Sequence, residues 1–150
     1  MKNNHVVIND GLFDKNTLYI SGAVGGARTG SATITGNSVT VYGGTFKEAY
    51  ALAGGRADRD DEITYMSSYV NGNTVTVKGG TFSVPNTWFI GGVTSGTREV
   101  TADNNVADLG GNITLESPLI AGGYIETPSS YSPSSGRATG NTVILREGLS

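Results

Sequence analysis

The side chains best suited to chemistry crowd into one charged run, GRADRDDEI at 55–63, which holds Arg56, Asp58, Arg59, Asp60, Asp61 and Glu62. Several carboxylates close together could gather a calcium ion, which takes carboxylate and carbonyl oxygens, or could form a charged binding loop. The spacing fits neither an EF-hand loop nor the calcium-binding nonapeptide repeat. It fits equally a solvated arm whose internal ion pairs contribute little. A second acidic arm, TREVTADNNVADLGGN at 97–112, carries Glu99, Asp103 and Asp108. If the two arms lay side by side, a carboxylate pair, or a carboxylate beside Arg56, would suit glycosidic or lyase chemistry. His5 is the one histidine. That excludes a two-His metal site and would force any triad onto the first strand, where an exposed position is expected. Trp88, Tyr124 and Tyr131 are the aromatics that could stack on sugar rings or anchor a protein interface. Trp88 lies beside Phe89 and Ile90, which also suits corner packing. Tyr131 sits in TPSSYSPSSG at 127–136, a stretch that must loop out.

The elements that position these groups are repeats. GNSVTVYGGTF at 36–46 returns as GNTVTVKGGTF at 72–82. NHVVINDGLF (4–13), GNITLESPLI (111–120) and GNTVILREGLS (140–150) align with them, so units start near residues 4, 36, 72, 110 and 140 of a single 1–150 repeat domain. The first core column reads Val6, Val39, Val75, Ile113 and Val143; the second reads Ile8, Val41, Val77, Leu115 and Leu145. Phe13, Phe46 and Phe82, then Ile120, close the units. A second glycine column follows in AVGG (23–26), ALAGG (51–55), WFIGG (88–92) and LIAGG (119–123). Apolar–polar–apolar alternation means half-buried strands. A fixed frame of 30–40 residues built on short strands means a solenoid or propeller. A blade needs about four strands, and only two are clear here, with a third suggested by SATIT (31–35) and EITYM (62–66).

A right-handed parallel β-helix of about four coils is therefore expected, all-β, with equivalent residues stacked coil on coil. Asn4, Asn37, Asn73 and Asn141 would form an amide ladder, and Thr40, Thr76 and Thr114 one outward column. Glycine, 23 of 150 residues, serves the corners. With the core open at both ends, the chain is expected either to be a piece of a longer array or to associate end to end.

Bulk properties narrow the partners. A net charge of −3 gives no footing for nucleic acid. The absence of cysteine excludes disulfides and thiolate metal sites. No apolar run approaches a membrane span.

The GNTVTVKGGTF-type unit, followed by GG and an arm ending in ATGNTV (138–143), resembles the repeats of bacterial autotransporter passengers and related large surface adhesins. The resemblance spans nearly the whole chain and carries over no catalytic residue. It implies an extracellular, outer-membrane-displayed stalk that binds a host or bacterial surface protein or glycan, anchored through a membrane part outside this sequence. Binding would fall on the variable arms, with Arg56, Asp58, Arg59, Asp60, Asp61, Trp88 and Tyr131 as candidates. The rival expectation is a β-helical polysaccharide-acting enzyme, a lyase or glycoside hydrolase.

Overall fold

A computed structural model describes residues 1–14, 19–26, 29–48, 50–57, 65–127 and 133–150. The described residues hold seventeen strands and no helix. The first coil contains β1 (His5–Ile8), β2 (Leu12–Phe13), β3 (Tyr19–Ser21), β4 (Val24–Gly25) and β5 (Thr29–Thr35). The second contains β6 (Ser38–Val41), β7 (Thr45–Phe46), β8 (Ala51–Ala57) and β9 (Tyr65–Asn71). The third contains β10 (Thr74–Val77), β11 (Thr81–Phe82), β12 (Trp88–Thr94) and β13 (Glu99–Asp103). The fourth contains β14 (Val106–Leu109), β15 (Leu119–Ile125) and β16 (Ser135–Arg137), and β17 (Thr142–Leu145) opens a fifth.

Each strand pairs in parallel with its equivalent one coil on. Four sheets result: β1-β6-β10-β14-β17, β2-β7-β11, β3-β8-β12-β15 and β5-β9-β13-β16. The chain is a β-solenoid of about four coils. A third strand per repeat is present and builds the fourth sheet: SATIT falls within β5, but its partner β9 runs Tyr65–Asn71, later than EITYM at 62–66, of which residues 62–64 lie outside the described residues.

The two aliphatic columns follow the expected frame, except in the fourth coil. Val6, Val39 and Val75 are in register, as are Ile8, Val41 and Val77. The fourth members are Ala107 and Leu109, and these pair onward with Val143 and Leu145. Ile113 and Leu115, expected there, lie past the turn: Ile113 bridges Leu149 and belongs to the same core as Phe82. The reason is a shortened turn. Gly43 stands six positions after Asn37 and Gly79 six after Asn73, but Gly110 only five after Asn105. The lost residue disguises NNVADLGG, and GNITL imitates the missing copy. The outward column is accordingly Thr40, Thr76 and Asp108, without Thr114.

Phe13, Phe46 and Phe82 stack nearly face on face, with centroids 4.7 and 4.6 Å apart and planes 2° and 7° apart. Ile120 does not extend this column; it pairs with Phe89 in the third sheet. Val39, Val41, Phe46, Leu52, Val75 and Phe89 are fully buried. Val143 and Leu145 keep their register but are 45% and 59% exposed, because no further coil among the described residues covers them.

The second glycine column is more than a corner. Its first-coil member is Gly22, which precedes Ala23 as Gly54 precedes Gly55; Gly25, expected in the column, pairs with Ala57. At this column the coil is pinched so that opposite walls touch. A Cβ on Gly54 would lie 2.4 Å from Thr74 N, one on Gly91 2.5 Å from Val106 N, and one on Gly122 2.6 Å from Thr142 N. Only glycine fits so close to backbone. The pinch divides the interior into a large core around Val39, Phe46 and Leu52 and a smaller one of Ala23, Ala32, Ile34, Ala57 and Val70.

The opposing wall at the pinch is the amide ladder. It runs Asn4, Asn37, Asn73, Asn105 and Asn141, gaining Asn105 through the corrected register. Each Asn donates its backbone N–H and its Nδ2 to Oδ1 of the next, at 2.9–3.1 Å. Asn37, Asn73 and Asn105 are at most 1% exposed. The ladder thus satisfies buried polar groups that would otherwise be costly.

Candidate functional site

The outer face of the third sheet gathers the side chains that the coil leaves for contact. Alternation along β12 sends Phe89 into the core, and its neighbours Trp88 and Ile90 to the other face. Trp88 stands in register with Ala51 and Leu119, and Ala51 with Tyr19. Past the paired glycines the chain bends, and Arg56, Val93 and Tyr124 form the next column on this side.

One aromatic ring per coil crosses the face. Tyr19 meets Tyr50 edge-on at 5.9 Å, Tyr50 meets Trp88 at 5.0 Å, and Trp88 meets Tyr124 edge-on at 5.4 Å. These contacts fix each ring against its neighbours. Tyr19 is 45% and Tyr50 37% exposed, and Trp88 and Tyr124 are half-buried. The Arg56 guanidinium lies 3.5 Å over the Tyr19 ring. A shallow recess between Tyr19 and Trp88 has a floor of Ala51, Ala53, Ile90 and Val93, with Arg56 and Glu126 at its rim. Burial pushes the Tyr50 hydroxyl above its usual range, and Tyr19, Glu126 and Tyr124 add to the effect. Tyr50 therefore stays a neutral donor and acceptor at neutral pH. Chemically the face offers flat apolar rings flanked by a guanidinium and a carboxylate.

Asp58, Arg59, Asp60, Asp61, Glu62 and Tyr131 lie outside the described residues, and with them the calcium reading of the 56–62 run. Among the described residues no three His, Asp or Glu side chains converge. His5 is exposed in β1, level with Ser38, whose Oγ is 2.8 Å from Nδ1. Glu99 accepts the Tyr69 hydroxyl at 3.0 Å. Asp108 holds Arg146 through two contacts of 2.6 and 2.8 Å. Asp103, 6% exposed, accepts from Thr139 N at 3.0 Å, Thr139 Oγ1 at 2.8 Å and Arg137 at 2.5 Å. The acidic arm at 97–112 is therefore largely strand, and its three carboxylates each tie one coil to a neighbour, Asp103 and Asp108 through an arginine.

Those ties carry a pH signature. Burial alone would raise Asp103, but the Thr139 hydroxyl and N–H and the Arg137 guanidinium outweigh it and hold it below 3.8. Arg146 lowers Asp108 in the same sense, chiefly through its hydrogen bonds and against some desolvation. A lowered folded-state pKa means that the stabilisation is complete above the unfolded value near 3.8 and is lost as pH falls through the folded value. Melting temperature should therefore drop on acidification below about pH 4. Asp103→Asn should flatten that drop more than Asp108→Asn, because the Asp103 side chain is the more buried of the two, 9% against 18% exposed, and also holds the Thr139 N–H and hydroxyl. Calorimetric scans from pH 2 to 7 would check this.

Tyr19, Tyr50 and Glu126 were not singled out from the sequence, although a signal was present. Tyr19, Ala51, Trp88 and Leu119 each stand three residues before the first pinch glycine of their coil. The run AVGG drew the first-coil alignment three residues too far along and hid Tyr19.

No protein-family model matches the chain, and no curated protein or solved structure matches it either.

Proposed function

We propose that this chain is a structural and adhesive segment of a bacterial cell-surface adhesin or autotransporter passenger, extracellular and displayed at the outer membrane. The observation that carries the reading is the continuous aromatic line, one ring per coil, on the outside of a rigid parallel solenoid. A single-coil loop would offer one ring and would lose conformational freedom on binding. Here the frame sets the spacing and the ring contacts hold the orientations, so little ordering remains to oppose binding. The rings suit the C–H faces of pyranose units or the apolar spots of a surface protein, and Arg56 and Glu126 suit hydroxyls or peptide groups beside them. The Arg56 end of the face leads directly into the charged arm, so strip and arm would act on one partner.

The rival reading, a β-helical polysaccharide-acting enzyme, draws less support. It counted on Asp103 or Glu99 facing the 56–62 arm, and Asp103 is engaged by Arg137 and Thr139. A glycosidase needs two carboxyl groups roughly 5–10 Å apart across an open site.

The test is retention of fluorescently labelled chain on bacterial cells, animal cells and immobilised surface glycans. Saturable retention is expected on at least one of them. Trp88→Ala should weaken it at least ~10-fold while leaving the melting transition in place, since buried-edge aromatics dominate such interfaces. Release of reducing sugar from a polysaccharide would replace the adhesive reading with the enzymatic one, and absence of retention on every surface would remove it.

A further inference from the structure

We infer that the two ends of the solenoid are complementary and that the 150-residue chain stacks head to tail with second copies of itself. The ends differ in the groups they expose. At the β17 end, neither the backbone N–H of Asn141 nor that of Gly140 has an acceptor among the described residues. At the β1 end, Asn4 gives its N–H and Nδ2 to Asn37, and its Oδ1 has no donor among the described residues. Inside the molecule the matching donors and acceptors meet at every step: Asn73 N and Nδ2 on Asn105 Oδ1, and Asn105 N and Nδ2 on Asn141 Oδ1. A second copy placing Asn4 over Asn141 would repeat that step. His5 N–H would then reach Asn141 C=O, as Ser38 N reaches Asn4 O and Thr142 N reaches Asn105 O.

The apolar surfaces match in the same register. Val143 and Leu145, 45% and 59% exposed, would meet Val6 and Ile8, continuing two columns that already run through the molecule. A 280 Å³ depression lined by Leu115, Ile120, Leu145 and Leu149 lies open at this end of the core. The free face of Phe13, whose other face stacks on Phe46, would sit over it.

The ends also interlock. Met1–Asn3 belongs to the fourth sheet, one step outside β5: Lys2 bridges Thr35, and Asn3 N donates to Thr35 O. Asn3, Gly36, Gly72, Asn104 and Gly140 form one column with φ of 59, 63, 63, 53 and 64°. In the joined pair, Met1–Asn3 of the second copy would lie on residues 138–140, just past β16, and carry the fourth sheet into the shared coil. Gly140 N–H would donate to Lys2 C=O of that copy, as Gly72 N does to Asp103 O. The strand equivalent to β15 is supplied by neither copy. That open position makes the joint weaker than an internal coil step, so assembly is reversible and rises with concentration. A head-to-tail contact does not close on itself, so linear chains rather than a fixed dimer result.

Sedimentation velocity tests this with two end-blocked variants. Leu145→Glu puts a charge on the β17 end, at a side chain already 59% exposed. His5→Pro removes an N–H that faces only the incoming copy, at the first residue of an edge strand, where proline is tolerated. Wild type should grow past dimers as concentration rises. Each variant alone should stay monomeric, and their equimolar mixture should stop at dimers, because each keeps one competent end. Asn4→Leu, at an exposed position, replaces His5→Pro should that variant not fold. Wild type that remains a monomer throughout overturns the proposal. So does either variant associating alone as wild type does, since that would place the contact on another surface.

Discussion

Gly54→Ala should be among the most damaging single methyl additions to this chain. The new Cβ would stand 2.4 Å from Thr74 N, 2.5 Å from Gly91 O and 2.6 Å from Thr74 C. All three are backbone atoms in paired strands, so none can swing aside as a side-chain tip can. Relief requires separating β8 from β10 at the pinch, which parts the paired glycines from the amide ladder along their length. Overpacking of this rigid kind costs at least about 3 kcal/mol. For a domain of this size that lowers the melting temperature by roughly 6–12 °C. Gly72→Ala is the control. It has φ +63 and nothing within 4 Å of an added Cβ, so only backbone strain opposes it, about 1–2 kcal/mol. Gly72→Asn should cost still less, because Asn104 occupies the same column at φ 53. If Gly54→Ala and Gly72→Ala melt together in a differential scan, the walls do not touch and the two-lobed section is wrong.

Asn73→Ala should come close behind, at about 3–5 kcal/mol. Asn73 is fully buried in the middle of the ladder. Its Oδ1 accepts both the N–H and the Nδ2 of Asn37, and its own Nδ2 serves Asn105 Oδ1 and the carbonyls of Ile34 and Asn71. Truncation would strand two buried donors of Asn37 and remove the donors that three oxygens share. Each buried group left unpaired costs about 1–3 kcal/mol, and water has little room to replace the amide where Gly55 presses on its Oδ1. Asn4→Ala is the contrast. Asn4 lies exposed at the end of the ladder and only donates to it, so about 1 kcal/mol is expected. Urea midpoints of the two variants would separate a cooperative ladder from a decorative one. Equal midpoints would mean that the ladder contributes no more inside than at its rim.

Much of this frame can be read from letters alone, because a solenoid repeats its demands. Each coil must give Val39-type residues to the core and an Asn37-type amide to the next coil, so the same types return at each step. Three of the columns were legible in that way: the valines, the phenylalanines and most of the asparagines. The fourth coil was misread because its turn is one residue shorter, which made GNITL the better match by eye and NNVADLGG the right one in space. The pinch was legible only as a pair of glycines. That they exclude a Cβ because an opposite strand touches them is a long-range fact, set by Thr74, Val106 and Thr142, and no local pattern records it. The aromatic line was half legible. Trp88 and Tyr124 drew notice as aromatics, but Tyr50 joins them only because its coil lies between those of Tyr19 and Trp88. Asp103 looked like catalytic or binding chemistry in the sequence and proved to be a clasp, because Arg137 and Thr139, which engage it, stand one coil away.

The most direct test of the whole account is amide hydrogen exchange on the chain alone and on the chain retained by whichever surface binds it. Slow exchange is expected in the free chain at Asn37, Asn73 and Asn105, whose N–H groups donate to buried amide oxygens. On binding, further slowing is expected, confined to peptides covering 19–25, 50–62, 88–94 and 119–126. Fast exchange along the ladder would contradict the frame. Protection appearing instead on the Thr40–Thr76–Asp108 face would contradict the assignment of the aromatic line as the contact surface.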